Sequence, residues 1–206
     1  MRYVDPEGRI ILNADSELKM SSSSSNLGNS EEKICNVGCV LTAYTRIASA
    51  IIGGGVTLEE ANDYATGNSL FAVGNLLTPE AGTALINGLL KAKGITDTEV
   101  EFSGSYLSDN ESNLIGAISI TELFPNEYFV TARIETTNKA GSEKYGHHVN
   151  INHGSVFADT ENGICNLSIN DTSGVRKQLY HDSRSNKLLR FDLFKVIKIH
   201  PTGEEQ

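Results

Sequence analysis

From residue 39 onward the apolar positions recur at helical spacing. Val40, Tyr44, Ile47 and Ile51 follow one another at steps of four, three and four, which puts them on one helix face. Gly53-Gly54-Gly55 ends that helix. Thr57-Leu58-Glu59-Glu60 is a capping-box signature and predicts a second short helix to about Ala65. Thr78-Pro79-Glu80 supplies an N-cap, a proline at the first helical position and an acidic first turn. It predicts a third helix that reaches Lys93 and stops at Gly94. A fourth, weaker helix is expected over Asn113 to Leu123.

After Pro125 the period becomes two. Tyr128–Thr136, Gly146–Ala158, Ile164–Asn170 and Leu189–His200 read as strands. Asp159-Thr160-Glu161-Asn162-Gly163 carries an Asn-Gly hairpin signal between the second and third of them. Before the helices, Asp5-Pro6-Glu7-Gly8 reads as the turn of a short hairpin within residues 1–13. A serine run, Ser21 to Ser25, then predicts a flexible loop over about 20–30, with a mobile flap over a site as the alternative. Helices first and an antiparallel sheet afterwards make the fold class α+β, in one domain spanning 1–206.

A chain of 206 residues is long enough for one good-sized core. Its 17 basic and 26 acidic residues give a net charge of −9, with no basic block. Nucleic-acid binders and anionic-membrane binders need the opposite balance, so neither partner is expected. No stretch reaches the roughly 18–20 apolar residues of a spanning helix. Met1 to Pro6 places a charge and a proline where a signal peptide has its apolar region. The expected location is therefore cytoplasmic, or outside the cell by a route the sequence does not display.

Three cysteines, Cys35, Cys39 and Cys165, are too few and too odd in number for a disulfide framework. A reactive thiol is the better question. Cys39 follows Val37-Gly38 at the start of the first helix, where unpaired N–H groups and the helix dipole favour a thiolate. Gly38 would let a substrate backbone approach. The plainer alternative is a buried cysteine acting as a small hydrophobe.

Gly146-His147-His148-Val149-Asn150 opens a strand with two histidines. Alternation puts His147 with Val149 and Ile151, and His148 with Asn150 and Asn152. Asn170 and Asp171 end the next strand, where either can accept an imidazole N–H, or serve simply as turn residues. A zinc site from His147, His148, His153 and Cys165 is a rival, weakened because adjacent strand histidines point to opposite faces. A regulatory disulfide between Cys35 and Cys39 is another.

A helix-borne thiol, then a strand histidine, then an Asn or Asp at the end of the following strand is the chain order of a cysteine nucleophile and its partners. Gly38-Cys39, Gly146-His147-His148-Val149 and Asn170-Asp171 together resemble the papain-like cysteine peptidases, in the branch typified by the bacteriocin-leader (double-glycine) peptidases. The resemblance spans roughly residues 27 to 200. It implies a papain-like fold in which Cys39 is the nucleophile, His147 the base and Asp171 the orienting acid. It also implies a peptide or protein substrate, with no cofactor and no metal.

Two positions depart from the branch. The glutamine expected about six residues before the cysteine, an oxyanion donor, is Lys33 here, and no glutamine precedes Cys39. Asn36 or Asn29 is a candidate substitute. Thr172 stands where the branch often has proline. Adjacency makes Tyr145, Tyr44 and His148 candidates for the site wall. Two alternatives follow from the departures. One is a catalytically silent papain-like fold that binds a partner; the other is an amidase or acyltransferase acting on a non-peptide amide.

Overall fold

The computed structural model describes residues 3–4, 10–11, 14–15, 17–107, 124, 127–137, 143–152, 157–159, 164–173, 178–180 and 186–198. For 3–4, 10–11, 157–159, 164–168, 170, 178–180 and 186–187 only the backbone is described. The expected helix over Asn113 to Leu123 lies outside the described residues.

Helices form where the caps place them. A four-residue helix, α1 (Ile34–Val37), hands over at Gly38 to α2 (Cys39–Ile52), which closes on Gly53 in the left-handed conformation at φ 92°. The helix α3 (Leu58–Gly67) opens with a complete capping box. Thr57 Oγ1 accepts the Glu60 N–H at 3.1 Å, and the Glu60 carboxylate accepts the Thr57 N–H at 2.9 Å. In α4 (Pro79–Ala92) the Thr78 hydroxyl accepts the Ala81 N–H. Among the described residues no helix is long and apolar enough to cross a membrane.

The strands are β1 (Tyr3–Val4), β2 (Ile10–Ile11), β3 (Thr98–Leu107), β4 (Tyr128–Thr137), β5 (Lys144–Ile151), β6 (Phe157–Asp159), β7 (Ile164–Asp171), β8 (Gln178–Tyr180) and β9 (Asn186–Lys198). β1 and β2 form the expected N-terminal hairpin, with Tyr3 opposite Ile11. The other seven make one sheet in the order β3-β9-β4-β5-β7-β6, with β8 also paired to β7. Every pairing is antiparallel. The fold is α+β, as the change of period predicts.

Two strands, β3 and β8, have no counterpart among the expected elements, nor do α1 and the 3₁₀ turn at Met20–Ser22, and one strand is shorter than expected. β3 alternates Val100 and Phe102 with Glu99 and Glu101 and keeps that alternation of exposure as far as Leu107. A register shift between Phe102 and Gly104 carries Tyr106 to a different apolar cluster from that of Phe102. The three-residue β8 is too short to show a period. The strand expected over Gly146–Ala158 ends at Ile151, and Phe157–Asp159 forms a separate strand hairpinned onto β7.

The main core lies between the helices and one face of the sheet. Leu41, Tyr44 and Ile47 of α2 and Leu85, Ile86 and Leu89 of α4 meet Val100, Phe129 and Phe194 there. A second apolar cluster of Val130, Ala132, Ile134, Val149, Phe191 and Leu193 occupies the other face. The serine-rich stretch is tied to this body. Met20–Ser22 form a 3₁₀ turn with Met20 and Ser23 buried, and the Met20 N–H donates to the Thr172 carbonyl at 2.9 Å. The Gly28 N–H donates to Asn62 Oδ1 at 2.8 Å.

Gly82 sits inside α4 because the ring of Tyr44 occupies the space a Cβ would need, its nearest carbon 2.4 Å from that point. Gly82→Ala should therefore destabilise the fold by about 1–3 kcal/mol through overpacking. At Gly67 nothing lies within 4 Å of where a Cβ would stand, and replacement by alanine should stabilise by roughly 0.5–1 kcal/mol. Urea denaturation of the two variants checks both signs.

Candidate active site

The site forms where the N-terminus of α2 meets the free end of β5. β7 pairs with β5 only from Val149 to Ile151, so His147 and His148 stand beyond the last residue paired with β7 and are held in the sheet by β4 alone. Two buried contacts seat α2 there. Asn150 Nδ2 donates to the Ala43 carbonyl at 3.0 Å, and Arg46 Nη2 donates to the Asp171 carbonyl at 3.2 Å. Cys39, the first residue of α2, thereby comes beside the histidine pair, and all three line one cavity of about 420 Å³.

Asp171 lies opposite Val149, so His147 is its diagonal neighbour on the same face. His147 Nε2 and Asp171 Oδ1 are 2.6 Å apart, and both side chains are almost wholly buried. A carboxylate at that distance takes the Nε2–H, which leaves Nδ1 for the thiol side. The carboxylate is held in turn by the Ser173 N–H at 2.9 Å and the Ser173 hydroxyl at 2.8 Å.

Thr172 ties the corner together. Its hydroxyl donates to the His148 carbonyl at 2.9 Å and lies 3.3 Å from His147 Nε2. The residue that stands in place of proline is thus a structural link that a proline would lack. In the sequence it is visible only as a departure.

Electrostatics arrange these groups for proton exchange. Burial pushes the Cys39 thiol up, but hydrogen bonds from His147 and then His148, with their charges, outweigh it. The thiol falls from 9.0 to about 5. Burial alone would lower His147, but the Asp171 hydrogen bond and the neighbouring Cys39 raise it from 6.5 to about 9. Burial opposes ionisation of Asp171 too, yet His147 and the Ser173 donors hold it well below the usual carboxylate range. Between about pH 5 and 9 the proton therefore rests on His147, and Cys39 is a thiolate.

The remaining candidates divide. Asn36 lines the cavity beside Cys39; its Oδ1 accepts the Cys35 thiol at 3.6 Å, so Nδ2 is the group it can offer an oxyanion. Asn29 lines a separate pocket with Thr66 and Phe71. Lys33 donates its ammonium to Asn26 Oδ1. Gly38 is buried, and its missing Cβ makes room for Ile34, 2.7 Å away, rather than for a substrate. Asn170 sits in β7 opposite Asn150, and its side chain is outside the described set.

Tyr145 is half-exposed on the cavity wall, edge-on to His147 at 6.5 Å between ring centroids. Tyr44 is not a wall residue: it is fully buried against Phe194. Cys35 and Cys39 are both free thiols. Of the zinc alternative, His153 lies outside the described residues, and His147 commits Nε2 to Asp171. Among the described residues no three His, Cys, Asp or Glu side chains converge as a metal site.

Sequence reasoning missed Arg46, Arg133 and Arg190. The last two line the cavity, and lone arginines in strands carry no local signal of that. No protein-family model matches the chain, and no curated protein does either. What the site does is read from its own geometry.

Alkylation of Cys39 by iodoacetamide, followed by mass spectrometry across pH, should show an inflection near 5. In His147→Ala it should move to or above the roughly 8.5 of a free thiol. His148→Ala should move it by less. An inflection that ignores His147 contradicts the pairing.

Proposed function

We propose that this protein is a thiol-dependent hydrolase of papain-like arrangement that cleaves a peptide or amide bond through Cys39, His147 and Asp171. The observation that carries the reading is the buried His147–Asp171 pair at 2.6 Å beside a helix-terminal cysteine already held as a thiolate. A structural cysteine needs neither neighbour.

The thiolate attacks the carbonyl carbon and the π electrons move to oxygen. The N–H groups at the start of α2 have no partners within the helix and face that oxyanion, with Asn36 Nδ2 as the side-chain donor. As the tetrahedral intermediate collapses, His147 Nδ1–H protonates the leaving amine nitrogen and the C–N bond breaks, leaving a thioester on Cys39. Water then gives a proton back to Nδ1 as it attacks the thioester carbon. Collapse releases the acid and restores the thiolate. Asp171 keeps Nε2–H engaged throughout and so fixes the ring.

An exposed free thiol at Cys35 and a free nucleophile at Cys39 suit a reducing compartment, in keeping with a cytoplasmic location. The lack of a glutamine before Cys39 favours a second reading, a silent fold that binds a peptide. The depressed thiol argues for chemistry instead.

The test is digestion of a complex peptide mixture with sequencing of new termini, in parallel with Cys39→Ala. New termini made only by the unaltered protein support the hydrolase. A mixture left intact, together with a Cys39 that resists epoxysuccinyl peptides, favours the binding fold. For a cleaved peptide, kcat/KM should rise as pH passes about 5 and fall as it passes about 9. Below the lower limit the thiol is protonated, and above the upper one His147 has no proton for the leaving amine. Asn36→Ala should lower kcat by roughly 10²–10³ if its amide serves the oxyanion, read from steady-state kinetics on the same peptide.

A further inference from the structure

The cavity that holds Cys39 also holds two arginines, Arg133 of β4 and Arg190 of β9, in a chain whose net charge is −9. They lie directly opposite each other across the β4–β9 ladder. Like charges in that position repel, so the pair carries a cost unless an anion sits between them. The register shifts immediately beyond them, between Arg133 and Ile134, where β9 holds one extra residue, Leu189. Such bulges re-aim side chains next to functional sites.

Surrounding carboxylates leave the pair incompletely neutralised. Asp192 is buried and spent on Arg190, with Nε 2.9 Å from Oδ1 and Nη2 donating to Oδ2 at 2.9 Å. Ser105 fixes Asp192 from the other side. That pairing holds the Arg190 guanidinium at the cavity wall. Glu135 bridges Lys144 at 2.8 Å. Glu80, at the start of α4, is near Arg190 but exposed, where solvent screens it.

Arg133 has no carboxylate partner among the described residues. Its guanidinium lies over Gly146, with Nε and Nη2 3.4 Å from the place of a Cβ, and so leans toward the histidine strand. Arg133 is paired with His148 in the β4–β5 ladder. The arginines therefore stand one and two strands from the histidine pair, on the order of 5–10 Å at ordinary strand spacing. That is about one to three residues of an extended substrate.

We propose that Arg133 and Arg190 form a carboxylate subsite, so that the hydrolase selects a substrate with an anionic group close to the scissile bond. This rests on the thiol-hydrolase reading above. The carboxylate can come from an acidic side chain or from a chain terminus, and both offer two coplanar oxygens to guanidinium groups. The walls beside the subsite, Val40, Leu77 and Pro79, are apolar, which lowers the local dielectric and strengthens the pairing.

The experiment compares rates of Cys39 modification by two matched pairs of epoxysuccinyl peptides. One pair differs only in Glu against Gln next to the epoxide; the other differs only in a free terminal carboxylate against its amide. The unaltered protein should prefer the acid of one pair by roughly ten- to hundredfold, and the preferred pair names the source. Arg133→Gln should bring that ratio towards one. Arg133 is the position to change because it is exposed, whereas removing Arg190 strands the buried Asp192. Equal rates within both pairs, with iodoacetamide still reacting at Cys39 near pH 5, overturn the subsite and leave the hydrolase standing. A thiol that titrates like a free one with iodoacetamide overturns both.

Discussion

The site depends on α2 being clamped to the end of β7 by Arg46. This arginine is wholly buried, and an unpaired guanidinium in that position would cost several kcal/mol. It is satisfied by backbone carbonyls. Nε donates to Leu18 at 2.6 Å and Nη2 to Asp171 at 3.2 Å, with the Asp171 carboxylate close enough to offset the charge. One side chain thus joins the helix that carries the thiol to the strand that carries the acid and to the segment before the 3₁₀ turn. Asp15 reinforces the same seam, accepting from the Ser49 hydroxyl at 2.6 Å. Cys39 and Asp171 lie 132 positions apart in the chain. Their relative placement is a property of this clamp and not of any local motif.

From that clamp the electrostatics follow in sequence. Asp171 is fixed by Ser173, so its charge is directed at His147. His147 is raised by Asp171 and Cys39 together, and its proton, with the hydrogen bond from His148, in turn lowers Cys39. Each group is shifted against the effect of its own burial. That is the signature of an arrangement in which charge partners dominate desolvation. A second histidine beside the first strengthens the field on the thiol, and the Thr172 hydroxyl ties the backbone carrying it to the acid's strand.

Most of the helices were legible because their signals are local. Thr57 with Glu60, Thr78 with Pro79, and the glycines after residue 52 each act within one turn, and each does in space what its spacing implies. The order of thiol, histidine and acid was legible too, since the hairpin onto β7 brings Asp171 back beside the histidine strand. What escaped was set by tertiary contact. Gly38 reads as room for a substrate but is room for Ile34, and Tyr44 reads as a wall but fills the space over Gly82. β3 escaped because Ser103-Gly104-Ser105 interrupts its apolar positions with turn-type residues, and the arginine pair because only strand order brings β4 and β9 together.

The central claim is that Cys39 and His147 share one proton that rests on the imidazole at neutral pH. The ultraviolet absorbance of the thiolate, titrated as a difference between the protein and Cys39→Ala, measures this without any substrate or electrophile. The account predicts a thiolate that appears near pH 5 and is present in full at pH 7. A thiolate that appears only above pH 8, as in an isolated cysteine, would contradict it.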